Sequence, residues 1–314
     1  MTKPHLLLFE TYDDWDLTPL NAAYNLVHLP DHGTAADVPT ELLPEIRAMA
    51  FRGHSSLGAE MMDAFPNLGM IANYGVGYDT IDVAHATLRG IKVSNTPDVL
   101  TDDVADLAVG MVIAQSRGMV GASDWITSGN WAKNGAYPLQ TKVSGKKVGI
   151  VGLGRIGRAV AERLTPFKCD IHYYARSVKE TPNWTHHEDI TALAKEVDIM
   201  VICLSGGPET VGMVNKSAIE ALGPDGLLVN ASRGTTVDEG ALLDALESGA
   251  LGSAASDVYL NEPDIDPRFL KLKNMLLQPH QSSGTVETRK VMGQLQRDNL
   301  EAFFSGKPLI TPVN

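Results

Sequence analysis

The segment Val148-Gly149-Ile150-Val151-Gly152-Leu153-Gly154-Arg155-Ile156-Gly157 constrains the fold more than any other part of the chain. It reads as a buried strand that enters a glycine-rich turn and leaves it as a helix. Gly152, Gly154 and Gly157 give the spacing G-x-G-x-x-G. In such a unit the first glycine permits a tight turn, the second lets a pyrophosphate approach the backbone, and the third lets helix and strand pack closely. The N–H groups at the helix start then face the phosphates, assisted by the helix dipole. The pattern alone is short, and glycine is common. Here its surroundings agree with it. Residues 146–153 form an apolar, β-rich run, and Ile156, Val160, Ala161 and Leu164 recur at helical spacing. A second strand, Asp170-Ile171-His172-Tyr173-Tyr174, completes a βαβ unit. The segment therefore predicts a bound dinucleotide.

The rest of the chain fits an α/β protein of two domains. Its 314 residues suffice for two cores. Strand-like runs at 6–9, 49–51, 69–72 and 92–94 precede the glycine turn, with helical stretches at 59–64 and 84–90 between them. After Thr96-Pro97 a long helix is predicted from a Thr101 cap through Ala114 or beyond. Asp102 and Asp103 fall in its first turn, and Val104, Leu107, Ala108, Met111 and Val112 form its apolar face. Further strands follow at 199–204, 226–230, 252–258 and 275–277, and a last helix runs from Thr285 to about Phe304. The dinucleotide unit thus begins in mid-chain, and the last helix is expected to return to the first domain.

Composition excludes several classes. A net charge of −12 argues against a nucleic-acid surface. It also requires a local cluster of positive charge for any anionic substrate. The longest early apolar run, Leu6-Leu7-Leu8-Phe9, is too short for a signal peptide core or a membrane span. Cys169 and Cys203 lie in or beside apolar runs, as reduced thiols of a cytoplasmic protein would.

The end of the second strand bears on which dinucleotide binds. An NAD site places an acid about 20 residues after the first glycine, to hold the ribose hydroxyls. Here that position reads Tyr174-Ala175-Arg176-Ser177, without an acid. Asp170 lies at the wrong end of the strand. Arg176 can face a 2′-phosphate and Ser177 can donate to it, which favours NADP(H), with NAD(H) at lower affinity. Arg176 also suits an ordinary solvated surface position.

Three later segments each place polar residues just after an apolar strand. They are Asn230-Ala231-Ser232-Arg233, Asp257-Val258-Tyr259 with Asn261-Glu262-Pro263, and Gln278-Pro279-His280 followed by Gln281-Ser282-Ser283-Gly284. Ligands of open parallel sheets bind outside the carboxyl ends of the strands, so Arg233, Glu262 and His280 are candidates for one crevice. Singly, each also suits a plainer role: a surface arginine, a Glu-Pro turn, a capping or core histidine.

Together, in this order after a dinucleotide fold, they resemble the D-isomer-specific 2-hydroxyacid dehydrogenases. Asn73-Tyr74-Gly75-Val76-Gly77-Tyr78-Asp79 resembles that family's substrate-carboxylate loop, the stretch from Asn95 to Asp106 its interdomain crossover, and the stretch from Gly145 to Gly157 its nucleotide loop. Within the family the chain is most similar to the NADPH-dependent glyoxylate/hydroxypyruvate and hydroxyphenylpyruvate reductases.

The resemblance implies two Rossmann-like domains with the active-site cleft between them. The flavodoxin-like substrate domain would comprise 1–98 and 286–314, and the doubly wound NAD(P)-binding domain 99–285. It implies reduction of a small 2-keto acid to a D-2-hydroxy acid. His280 would donate the proton, Glu262 would fix its tautomer, and Arg233 would hold the substrate's carboxylate and carbonyl oxygens. The Val76 and Gly77 N–H groups would complete the carboxylate site. Cofactor contacts would come from Gly152, Leu153, Gly154, Arg155, Ile156, Gly157, Ala175, Arg176, Ser177, Leu204, Thr210, Ala231, Ser232, Arg233, Asp257, His280 and Ser283. Among these, Asp257 would accept from the nicotinamide carboxamide. Where many relatives carry proline in the loop after Leu204, this chain has Ser205. A homodimer using the helix after Thr101 is the implied assembly; no metal, nucleic acid or membrane is. Corepressors that bind NAD(H) share this fold and residue set, but they carry disordered tails that this chain lacks. Oxidation of formate or phosphite stays within the fold and normally uses NAD, against which the missing acid argues.

Overall fold

Short apolar runs alternate with helices along the chain, and parallel strands buried on both faces result. The computed structural model describes residues 3–30, 32–52 and 56–314. It divides into two units, Met1–Leu100 with Ser283–Asn314, and Thr101–Ser282.

The first unit has strands β1 (His5–Phe9), β2 (Asn25–Leu29), β3 (Ile46–Phe51), β4 (Met70–Asn73) and β5 (Lys92–Ser94). All are parallel, in the order β2-β1-β3-β4-β5, the flavodoxin-like arrangement. Helices α1 (Asp14–Ala23), α2 (Ala59–Asp63), α3 (Val83–Leu88) and the last helix, α11 (Val286–Phe304), belong to this unit. Leu6, Leu7 and Leu8 are fully buried, and each such side chain contributes roughly 2 kcal/mol. Thr285 caps α11 by accepting the Thr288 N–H. Gln296 of α11 donates to the Ala72 carbonyl (2.8 Å) and the Tyr12 hydroxyl (3.0 Å). Asp16 of α1 is buried and paired with Arg297.

The second unit contains α4 (Thr101–Ser116), α5 (Met119–Thr127), α6 (Asn130–Asn134), α7 (Arg155–Leu164), α8 (Ile190–Glu196), α9 (Lys216–Leu222) and α10 (Glu239–Ser248). Its sheet comprises β6 (Lys147–Val151), β7 (Asp170–Tyr174), β8 (Thr185–His187), β9 (Ile199–Ile202), β10 (Leu227–Asn230), β11 (Ser253–Ser256) and β12 (Met275–Leu277). These are again all parallel, in the order β12-β11-β10-β9-β6-β7-β8. The strand order reverses beside β6, where Val148 pairs with Ile199 on one side and Ile171 on the other. A crevice at this reversal is where a doubly wound sheet receives a ligand. Helix α4 lies against α7, where Arg163 bridges Asp102 (2.7 Å) and Asp106 (2.6 Å). Its buried face is Val104, Ala105, Ala108, Val109, Met111 and Val112, whereas the predicted Leu107 is only half-buried. Among the described residues no helix is long and apolar enough to cross a membrane. Cys169 and Cys203 are free thiols, and burial pushes both up, Cys203 to about 12.

Candidate active site

The glycine turn after β6 has the geometry that its spacing predicts. Gly152 has φ +97°, a conformation that L side chains rarely adopt, and a Cβ there would lie 2.8 Å from the Cys203 carbonyl oxygen. A Cβ on Gly157 would overlap the Gly152 carbonyl oxygen. Gly154 is different: a Cβ there would meet nothing within 4 Å. The first and third glycines are thus required by the protein's own packing, and the second leaves open volume above the backbone. Gly154 is the N-cap of α7 and brings no side chain to its N–H groups. The Arg158 N–H donates to the Gly154 carbonyl at 2.9 Å, which makes Gly154 the start of α7, and the N–H groups of a helix's first turn point away from its body. Leu153 is buried beneath the turn. This arrangement fits a pyrophosphate.

At the carboxyl end of β7, Ala175 is half-buried and Arg176 and Ser177 are exposed. The turn is held from below. His186 of β8 lies 3.0 Å from the Ala175 carbonyl oxygen, the Tyr173 hydroxyl accepts the Lys179 N–H at 2.9 Å, and Arg158 donates to the Glu180 carbonyl at 2.7 Å. Asp170 sits at the other end of β7 beside His172, 3.3 Å away. With a cation and a hydroxyl there and no carboxylate, the strand end fits a 2′-phosphate.

The three later strands stand side by side in the order β12-β11-β10, so their carboxyl ends share one edge. Asn230 ends β10 and shapes the turn after it. Its Oδ1 accepts the Ser232 N–H (3.1 Å) and hydroxyl (2.9 Å), and its Nδ2 donates to the Arg233 carbonyl (3.0 Å). An asparagine side chain that bonds its own backbone in this way makes a rigid turn, here presenting Arg233. Ala231 and Ser232 are buried in the same turn. Leu204, after β9, is half-buried against the apolar core, and Thr210 closes its loop by donating to the Ser205 carbonyl at 2.7 Å.

His280 follows β12 with φ +49°. Non-glycine residues seldom adopt this conformation, and it clusters at functional sites. Its Nδ1 lies 2.6 Å from Glu262 Oε2, and the side chains are 28% and 17% exposed. With Nδ1 on a carboxylate, the orientation and tautomer of the ring are set by Glu262. Asp257 is fully buried, and its two oxygens accept the Gln281 N–H (2.8 Å) and the Ser282 N–H (2.9 Å). Its bonds in the protein therefore tie down the turn that carries His280. The Tyr259 hydroxyl donates toward the Ser256 (2.9 Å) and Gln278 (3.0 Å) carbonyls and links the ends of β11 and β12. Burial pushes its phenol well above the ordinary range, so it remains a donor.

In the first unit, the loop after β4 is built from backbone. The Gly75 carbonyl accepts from Asn73 Nδ2 (3.1 Å) and the Thr96 N–H (2.9 Å). Asn95 Nδ2 donates to the Val76 carbonyl (2.9 Å), and Asn73 Nδ2 also reaches the Gly77 carbonyl (2.8 Å). A trans peptide points its N–H opposite its carbonyl, so fixing the Gly75 and Val76 carbonyls fixes the Val76 and Gly77 N–H directions. Ser283 belongs to this unit's segment, and His280 to the other's. The anchoring roles of Asn73, Asn95 and Asn230 arise from contacts that only the folded loops make. In the sequence, Asn230, a polar residue closing an apolar strand, is the available signal.

A pair of doubly wound sheets, one with a dinucleotide turn and an acid-held histidine at its carboxyl edge, defines a class of dehydrogenase. Residues 109–282 match the family model of the D-isomer specific 2-hydroxyacid dehydrogenase, NAD binding domain. The chain is 47% identical to a hydroxyphenylpyruvate reductase of Plectranthus scutellarioides over 268 residues, 85% of each protein. It is 44% identical, with the same coverage, to a glyoxylate/hydroxypyruvate reductase A of Arabidopsis thaliana. A crystal structure of an NADPH-dependent glyoxylate/hydroxypyruvate reductase from Sinorhizobium meliloti, in complex with NADP and malonate, superposes with a TM-score of 0.94 at 39% identity, covering 99% of this chain and 97% of the other. The chain belongs to the D-isomer specific 2-hydroxyacid dehydrogenase family.

Proposed function

We propose that this protein is an NADPH-dependent reductase that converts small 2-keto acids, glyoxylate and hydroxypyruvate among them, to D-2-hydroxy acids. The observation that carries this reading is the 2.6 Å bond between His280 Nδ1 and Glu262, on the same sheet edge as the glycine turn. When bound, the cofactor supplies the hydride that goes to the carbonyl carbon. His280 delivers a proton from Nε2 to the carbonyl oxygen, which becomes the hydroxyl. Glu262 holds the ring in orientation and tautomer. Arg233 binds the carboxylate and polarises the carbonyl. The Val76 and Gly77 N–H groups of the first unit bind a carboxylate oxygen, so Met1–Leu100 with Ser283–Asn314 is the substrate unit and Thr101–Ser282 the cofactor unit. The glycine turn, Leu204, Thr210, Ala231, Ser232, Asp257 and Ser283 line the cofactor. Arg176 and Ser177 set the preference for NADPH, and NADH binds more weakly.

The test is a panel of 2-keto acids assayed with each cofactor. NADPH oxidation with glyoxylate or hydroxypyruvate is expected, and His280→Ala should lose turnover by roughly 100-fold or more while still binding NADPH. Silence with every keto acid, or near-normal turnover in the variant, would refute the reading.

We further propose a cytoplasmic homodimer. Helix α5 has no buried residue, and Met119, Val120, Ile126, Trp131 and Leu139 are exposed along this stretch. An apolar surface of this kind marks an interface. A monomeric mass in light scattering would refute the assembly.

A further inference from the structure

A second buried acid acts on the loop that carries Glu262. Glu239, the first residue of α10, is 9% exposed. An acid in a first helical turn is ordinary and usually solvated, where it complements the dipole. Glu239 instead turns inward, and its Oε2 accepts the Leu260 N–H at 3.0 Å. The preceding amide, that of Tyr259, donates to Glu262 Oε1 at 2.7 Å. Two successive N–H groups are thus each held by a carboxylate, and the second oxygen of Glu262 holds His280. The same backbone is packed against the Arg233 turn, because a Cβ on Gly234 would overlap the Tyr259 carbonyl group. The loop that aims Glu262 is therefore fixed by Gly234, by Glu239 and by Glu262 itself.

The charges around Glu239 make its burial costly. Its charged neighbours are Glu262 and Asp266, both acids of the same loop, and the Tyr259 phenol is close. Burial pushes the Glu239 carboxyl up, Asp266 and Glu262 add to this, and the Leu260 N–H opposes it. A buried acid that faces two other acids is an expensive way to hold one amide, which a neutral glutamine would hold as well. Such arrangements concentrate at functional sites.

We propose that Glu239 is a positioning residue for the Glu262–His280 pair: its carboxylate fixes the turn that carries Glu262, and its negative charge, facing Glu262, strengthens the pair's hold on the proton. This rests on the reading of His280 as proton donor. In its ionised form Glu239 adds negative potential beside Glu262, and a proton shared by the Glu262–His280 pair is held more firmly for it.

The experiment measures kcat for keto-acid reduction against pH, at saturating NADPH, in the full-length enzyme and in Glu239→Gln, Glu239→Ala and His280→Ala. Glutamine keeps an oxygen for the Leu260 N–H and removes the charge. Glu239→Gln should retain the wild-type unfolding temperature, NADPH dissociation constant and most of the plateau turnover. The alkaline limb of its profile should move to lower pH by on the order of half a unit. Glu239→Ala should lose kcat by roughly 10–100-fold, a loss that glutamine rescues. A Glu239→Gln limb that coincides with wild type, or wild-type turnover in Glu239→Ala, overturns the inference. If Glu239→Ala does not fold, the glutamine limb decides alone. If His280→Ala retains turnover, the reading of the site fails instead; an inactive His280→Ala with an unmoved glutamine limb sinks only the role of Glu239.

Discussion

The two sheets begin alike and diverge at their first turn. Strand β1 leads through Glu10-Thr11-Tyr12 into α1, and β6 leads through Gly152-Leu153-Gly154 into α7. Both strands lie where the order of their sheet reverses. In the first unit that position is filled. Tyr12 is buried and its ring meets the Tyr74 ring edge-on at 5.6 Å. The start of α1 carries Asp13 as N-cap and Asp14 and Asp16 in its first turn, so its N–H end faces carboxylates of its own chain, which would repel an anion. Helix α7 has no acid in its first turn, opens with Arg155 and has empty space over Gly154. One architecture therefore gives two different surfaces, and a handful of turn residues decides which of them accepts a phosphate.

The largest effect that bears on this comparison is expected at Gly157. An alanine Cβ there overlaps the Gly152 carbonyl oxygen, and the backbone must move. Gly157→Ala should lose on the order of 2 kcal/mol or more and lower Tm by roughly 5 °C, with NADPH binding lost as well. Gly154→Ala should leave Tm unchanged, because its Cβ meets nothing, and weaken NADPH by roughly 10-fold or more, measured by fluorescence titration. Equal effects of the two on Tm would mean that the open volume over Gly154 is not what separates the two turns.

What the sequence reveals follows the same division between buried runs and surface. Strands β5, β7 and β12 begin and end where periodicity places them, and α11 starts within one residue of the expected Thr285 and ends at the expected Phe304, because apolar periodicity is a local signal. Strands β2 and β8 escape notice. They are edge strands: in β2 only Leu29 is buried and His28 breaks its short apolar run, and β8 is Thr185-His186-His187 with no buried residue. Helices α5 and α6 are hidden for the same reason, having no buried face. In the site, Arg233, Glu262 and His280 stand out as polar residues just past buried strands. Their supports do not. Glu239 looks like an ordinary helix-start acid, and Asn73 makes bonds that only the folded loop brings within reach.

The second prediction concerns the end of β7, where Arg176 and Ser177 would extend the turn's anion preference to a 2′-phosphate. Arg176 is exposed and carries no core packing, so its substitution tests charge alone. Arg176→Asp should weaken NADPH by roughly 10–100-fold and leave NADH nearly unchanged, read as the ratio of kcat/KM for the two cofactors. A loss of the same size for both would show that the arginine supports the fold rather than reading the phosphate.

The smallest effect is expected in the first unit, where the proposed carboxylate site would be made of amides after β4 rather than at a helix start. Asn73 is 5% exposed and holds two carbonyls of the 75–77 loop with one amide group. Removing it frees the loop's peptide planes without removing a charge. Asn73→Ala should raise KM for the keto acid by about 10-fold, with kcat reduced less and the NADPH dissociation constant unchanged. A matching loss of NADPH affinity would mean that the two units do not divide substrate and cofactor between them. An unchanged KM would mean that the Thr96 and Asn95 bonds alone hold the Val76 and Gly77 N–H groups in place.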